Sequence, residues 1–350
     1  MPGQRACHFV LPGDWNTPTG GYTYDRRLAL ALRDAGWTVA PLVLDGAWPW
    51  PDGADIEAAA ACFATLPDGA LVVADGLAFG TLAAAVRPHA ARLKWVALVH
   101  HPLHLETGLD EADIARLRAG EAEALQLARR VVVTGRSTVR DVAAMGAPYE
   151  RIAVVEPGTD PVLPPTKPNA RGPVQLLCVA TLTPRKGHAV LLQALAGLLH
   201  RPWMLHLVGS TERDPGTAER LRAMAKGLGD RVVWHGEIPG TALPAHYAAA
   251  DVFVLPSLYE GYGMVVAEAV AHGLPVVTTD GGALAHTLPP AAGLQVPAGD
   301  VSALQAALEH VLTDTALRER LAAGARAAAT RLPTWPQQAA LFAAVLESVA

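Results

Sequence analysis

Leu255-Pro256-Ser257-Leu258-Tyr259-Glu260-Gly261-Tyr262-Gly263-Met264-Val265-Val266-Ala267-Glu268-Ala269 runs from the end of an apolar segment, through a loop carrying two glycines, into a helical stretch. A strand, a glycine-bearing loop and a helix start make one β-loop-α unit, and the same rhythm extends outward from it. In this half of the chain strands are expected at 174–180, 204–208, 232–235, 252–255, 276–278 and 294–296, with helices near 189–199, 217–226 and 264–272. An earlier series has strands at 8–11, 38–44, 71–74, 95–99, 131–134 and 152–155, and helices near 23–35, 56–66, 110–129 and 137–145. Strands that are continuous Val/Leu runs separated by helices imply parallel sheets buried on both faces. Between the two series lie Pro157, Pro161, Pro164, Pro165, Pro168 and Pro173, a density that forbids helix or sheet interior and reads as a linker.

The expectation is an α/β chain of two doubly wound domains. The first takes 1–160 with about 334–350, the linker 161–173, and the second 174–333. Ala-rich helices at 301–312 and 314–329 precede the break Pro333-Thr334-Trp335-Pro336, after which a last helix to about 348 is expected to return to the first domain. Ligands of such sheets bind at the carboxyl ends of the strands, so a central cleft faced by both domains is the expected site.

Composition narrows the partners. Of 350 residues 51% are hydrophobic and 17% charged, with net charge −5. A binder of phosphate backbones needs a concentrated basic face, so nucleic acid is excluded as a partner and small molecules or proteins are expected. Cys7, Cys62 and Cys178 lie far apart without a C-x-x-C pair, which argues against a zinc site or a disulfide framework and for a reducing cytoplasm. The opening MPGQRACHFVLPGDW has too short an apolar stretch for a signal peptide, and 187–200 falls short of the roughly 20 apolar residues of a spanning helix. A cytoplasmic protein whose only membrane contact is peripheral, at the inner face, is expected.

The chemistry-bearing residues cluster after strands. Gly261 and Gly263 permit close backbone approach to a ligand, and the amides of Gly263, Met264 and Val265 at a helix N-terminus suit an anion. Glu268, four residues past Met264, shares nearly the same face, and Glu260 reaches out from the loop. Beside a phosphate these carboxylates make sense as acceptors for sugar hydroxyls; the plain alternative is a capped surface helix with solvated glutamates. Arg185 and Lys186, in Thr181-Leu182-Thr183-Pro184-Arg185-Lys186-Gly187 directly after 176–180, are placed to clamp a diphosphate and stabilise charge as it leaves.

Together these stretches resemble glycosyltransferase family 4, the retaining nucleotide-sugar glycosyltransferases of GT-B fold, and the resemblance covers nearly the whole chain. Glu260 and Glu268 match the family's E-x7-E pair and Arg185-Lys186-Gly187 its R-K-G, in the same order and separation. The resemblance implies a GT-B architecture of two Rossmann-like domains. It implies that Arg185 and Lys186 contact the donor diphosphate, Glu268 the ribose, Glu260 the donor sugar near its C3 hydroxyl, and the amides of Gly263 to Val265 the distal phosphate or sugar. Gly20 and Gly21, in Pro18-Thr19-Gly20-Gly21, look like the family's N-terminal Gly-Gly loop near the donor phosphate or acceptor. In Val99-His100-His101-Pro102 the strand register aligns His100 with the family's histidine, which contacts the donor sugar or supports the reacting centre; His101 is the second choice and a buried structural histidine the third. His104 and Glu106 begin a loop that could face the acceptor, and Arg136 stands where the family has a basic residue near the cleft. One departure is plain: after Gly281-Gly282 many members place Pro-Glu, whereas this chain reads Ala283-Leu284, so donor class is better supported than donor identity.

The function these residues imply is transfer of a sugar from a nucleotide-diphosphate sugar to an acceptor hydroxyl with retention. The acceptor, whether small molecule, glycan or lipid, has no diagnostic pattern. No D-x-D motif is evident, so no metal or other cofactor is expected, the sugar nucleotide being a substrate. A GT-B epimerase or phosphorylase and a non-catalytic nucleotide-sugar-binding protein are the alternatives. A dehydrogenase is poorly supported, because no G-x-G-x-x-G opens the chain.

Overall fold

The computed structural model describes residues 5–162 and 172–350, so most of the proline-rich stretch, including Pro164, Pro165 and Pro168, lies outside the described residues. The chain forms two compact units, one running through Gly158 and taking in Pro333–Ala350, the other Thr159–Leu332.

The first unit is built on a parallel sheet of β1 (Ala6–Pro12), β2 (Thr38–Leu44), β3 (Leu71–Asp75), β4 (Lys94–Val99), β5 (Arg130–Val133) and β6 (Ile152–Val154). Its spatial order is β2-β1-β3-β4-β5-β6. The chain reverses direction across the sheet between β1 and β3, so the loops at their carboxyl ends diverge and leave a crevice. The central strands bury almost every side chain: Val72, Val73, Trp95, Val96, Leu98, Val131 and Val132 are at or near zero exposure. Helix Gly20–Asp34 lays Tyr24, Leu28 and Leu32 on the sheet at helical spacing, and helix Trp335–Glu347 packs against it with Trp335, Phe342 and Leu346. Burial of each such large apolar side chain stabilises by about 1.5–3 kcal/mol. The Tyr24 ring meets Trp335 edge-on at 5.7 Å, and its hydroxyl donates to the Val155 carbonyl at 3.0 Å.

The second unit has β7 (Val174–Val179), β8 (Trp203–Val208), β9 (Val232–Gly236), β10 (Val252–Leu255), β11 (Val276–Thr279) and β12 (Gly293–Val296), all parallel, in the order β12-β11-β10-β7-β8-β9. That is the doubly wound order of dinucleotide-binding sheets, with its switch point between β7 and β10. Both expected strand series are present.

Two expectations need correction. The first helix begins at Gly20 and not at 23, because the Thr19 side chain caps it by accepting from the Tyr22 amide; the glycine pair is the first helical turn, not a loop. A helix at Leu243–Ala249 was not foreseen, since its seven residues are too few for apolar periodicity to show.

Candidate active site

At the switch point of the second unit the loops after β7 and β10 are stitched together. The Leu258 amide donates to the Arg185 carbonyl at 2.7 Å, and Arg185 Nη1 donates to the Tyr259 carbonyl at 2.8 Å. Gly187 makes the approach possible: its φ is +67°, and a Cβ there would lie 2.0 Å from the Pro256 carbonyl oxygen. Only glycine meets both demands.

The stitching converges on Glu260. Lys186 Nζ donates to its Oε1 at 2.6 Å, Arg185 Nη1 lies 3.5 Å from its Oε2, and the Ser257 hydroxyl donates to Oε1 at 2.7 Å. Arg185, Lys186 and Glu260 expose only 16%, 18% and 8% of their side chains. Burial alone would push the Glu260 carboxyl up, but Lys186 and Arg185 outweigh it and hold it down at about 2. Glu260 is therefore ionised throughout the physiological range and orders both cations; two residues read from separate motifs, Lys186 and Glu260, are one ion pair.

Helix Met264–Ala271 starts beside this cluster in sequence, with Gly263 at φ +88° as its N-cap. The first-turn amides of Met264 and Val265 have no partner within the helix and point out of its positive end. Glu268, further along the helix, accepts from the Tyr247 hydroxyl at 2.7 Å. Tyr247 is fully buried, and nothing in the sequence pattern marks it as a neighbour of Glu268. Asp280 accepts from the Ala298 amide at 2.9 Å and is exposed, so it takes no part in the Glu260 cluster.

The first unit has its own cluster at its own switch point. His100, just past β4, places Nε2 2.9 Å from Asp25 Oδ1 and 3.3 Å from Asp75 Oδ2. Gly21 lies against this ring, a Cβ there coming 3.4 Å from His100 Cδ2, and Tyr24 meets it edge-on at 5.0 Å. Burial would push His100 down, but the two carboxylates raise it to about 10; burial pushes Asp25 up to about 7 against the pull of His100. Sequence reasoning found His100 and missed both acids. The available signals were an acid on the apolar stripe of the first helix, three residues before Leu28, and an acid closing the apolar run of β3.

The remaining candidates lie apart from that cluster. His101 Nε2 is 3.8 Å from Glu106 Oε2. His104 Nδ1 turns to the buried Glu121 at 3.7 Å, and Glu121 also accepts from the Leu103 amide at 3.1 Å. Arg136, with 78% of its side chain exposed, is 3.5 Å from Glu156 and lines an open groove of about 560 Å³ with Arg140, Tyr149 and Leu341.

Residues 173–314, which hold the Arg185, Lys186, Glu260 cluster and Glu268, match the family model described as glycosyl transferases group 1. The matched segment lies within the second unit. A D-inositol 3-phosphate glycosyltransferase of Xylanimonas cellulosilytica is 35% identical to this chain over 240 residues, covering 63% of the chain and 57% of the relative. A phosphatidyl-myo-inositol mannosyltransferase of Mycobacterium leprae is 38% identical over 172 residues, 48% of the chain and 44% of the relative. The chain thus spans about half the length of these relatives. The solved sucrose-phosphate synthase of Thermosynechococcus elongatus superposes with a TM-score of 0.81 at 24% identity, covering 99% of each chain. The shared architecture is GT-B, two Rossmann-like units each with a parallel six-stranded sheet. No helix among the described residues is long and apolar enough to cross a membrane.

Proposed function

We propose that this chain is a group 1 glycosyltransferase that moves a sugar from a nucleoside-diphosphate sugar to an acceptor hydroxyl with retention of configuration. The observation that carries the reading is the grouping of Arg185, Lys186 and Glu260 at the switch point between β7 and β10, in the loop that leads into helix Met264–Ala271. Two cations pre-ordered by a buried carboxylate, with helix amides following them, offer fixed positive charge to a leaving diphosphate without reorganisation at the moment of reaction. In this reading Arg185 and Lys186 hold the diphosphate, the amides of Gly263, Met264 and Val265 meet the distal phosphate or the sugar, Glu268 takes the ribose hydroxyls, and Glu260 the transferred sugar. Gly20, Gly21 and His100 serve the transferred sugar or the acceptor, with His101, Glu106, His104 and Arg136 toward the acceptor. The leaving phosphate itself takes up the proton of the attacking hydroxyl. Protein charge replaces a metal ion. The names of the relatives support a hexose donor and an inositol-containing or lipid acceptor, the latter met by peripheral contact with a membrane surface.

A thermal-shift screen of nucleoside diphosphates and their sugars tests the donor. A ligand present at 100 times its dissociation constant stabilises by about 2.7 kcal/mol, and a screen in which no nucleoside diphosphate raises Tm refutes the assignment.

A further inference from the structure

We infer that Asp25 and Asp75 are positioning residues that clamp His100 as an imidazolium, so that it presents a fixed positive charge and a hydrogen-bond donor to substrate and does not act as a base. This rests on the transferase reading for its role, though not for its charge.

The geometry is a two-sided grip. Asp25 comes from helix Gly20–Asp34 and Asp75 from the end of β3, the strand paired with β4 just before His100. Their side chains are 0% and 5% exposed, while the ring keeps 19%. One nitrogen, Nε2, faces an oxygen of each, at 2.9 and 3.3 Å. The ionised Asp75 carboxylate can only accept, so Nε2 must carry its proton, and a ring shedding a proton could lose it only from Nδ1. Removing that proton would leave the buried acids without a counter-charge, a costly arrangement in a dry site.

The two acids are not equivalent. Asp75 spends its other oxygen on the Leu77 amide at 2.7 Å, so both its oxygens have donors and it is the ionised member. Asp25 Oδ2 is buried with no protein donor facing it, and Asp25 shares a side-chain hydrogen bond with Asp75, which suits a carboxyl that holds a proton part of the time. This agrees with the upward shift of Asp25 and the downward shift of Asp75, where the pull of His100, the hydrogen bond from Asp25 and the Leu77 amide together overcome burial. The other groups facing the ring from neighbouring elements do not supply an alternative charge. Tyr24 gives its hydroxyl to Val155, Thr134 donates its own to the His100 carbonyl at 3.4 Å, and the Arg26 guanidinium is turned to the Trp15 and Thr17 carbonyls.

The test is a pH titration of the histidine ring resonances of the full chain by NMR, with His100→Gln to assign the signal, alongside kcat/KM against pH. In the wild type the His100 signal is expected to show no midpoint below pH 9. In Asp75→Asn the midpoint should fall toward the ordinary histidine value of about 6.5, and kcat/KM should drop at least about tenfold at pH 8 relative to pH 6 beyond any wild-type change. Because Asp75 also caps the short helix Gly76–Phe79, Asp25→Asn is the parallel variant, expected to lower the midpoint by a smaller amount. A wild-type midpoint near 6.5, variants that lower kcat/KM equally at all pH values with an unmoved His100 signal, or tight binding of Mn²⁺ or Zn²⁺ that restores activity to chelator-treated enzyme would each overturn the clamp. The ring titration needs no substrate. An absence of turnover with every nucleotide sugar, together with an unshifted high midpoint, would sink the transferase reading and leave the clamp standing.

Discussion

Replacing Glu260 by glutamine keeps its shape and its partner Ser257 but removes the charge that Lys186 and Arg185 enclose. The carboxyl falls from an ordinary 4.5 to about 2 in the folded protein. At about 1.4 kcal/mol for each tenfold in acidity, that difference contributes about 3 kcal/mol of stability. The figure agrees with the 3–5 kcal/mol typical of breaking a buried pair by removing one partner. It sits at the lower end because Arg185 keeps its bond to the Tyr259 carbonyl and both cations, 16% and 18% exposed, retain access to water. Because the folded value is depressed, this stability is fully present above pH 4.5 and is lost as the pH falls toward 2. For a unit of this size about 3 kcal/mol corresponds to a Tm lower by about 6–12 °C. Calorimetric melting of wild type and Glu260→Gln across pH 3 to 8 should show that gap at neutral pH and see it close below pH 4. A gap under about 2 °C at pH 7, or one as wide at pH 3 as at pH 7, would refute the ion-pair account.

Three further outcomes follow from the same loops. Lys186→Ala should lower kcat by about 10²–10³ while lowering Tm less than Glu260→Gln does, because Glu260 retains Arg185 and Ser257; steady-state kinetics with normal turnover would remove Lys186 from the site. Gly187→Ala puts an L side chain at φ +67° with its Cβ 2.0 Å from the Pro256 carbonyl, so the Arg185–Leu258 stitch should open, Tm should drop by more than about 4 °C and nucleoside diphosphate should no longer shift it. Turnover should be unchanged in excess EDTA; loss of activity restored by a divalent cation would transfer the role of Arg185 and Lys186 to a metal.

The architecture was legible because the buried strands are continuous apolar runs: Leu176 to Val179, Val252 to Leu255 and Val131 to Val133 can sit only in a sheet covered on both faces. Single positions at strand ends were legible too, since an Arg-Lys pair or a histidine just past such a run has to stand at the carboxyl edge. What the chain order concealed was pairing across it. Nothing in the spacing of Lys186 and Glu260 says that they touch; the contact exists because β7 and β10, far apart in sequence, are neighbours at the switch point. Tyr247 reaches Glu268 from a helix too short to announce itself. Asp25 was hidden differently, as one acid within an amphipathic helix, where solvated carboxylates are common and only the register with Leu28 and Leu32 shows that it faces inward.

The return of Trp335–Glu347 to the first unit bears on how the chain is made. Residues 159–332 make up the second unit in one contiguous stretch. The first unit is split: Trp335, Phe342 and Leu346, which pack on the helix carrying Tyr24 and Asp25, follow the whole of the second unit in the chain. The unit whose translation begins first therefore receives its covering helix only after the other unit has been translated in full.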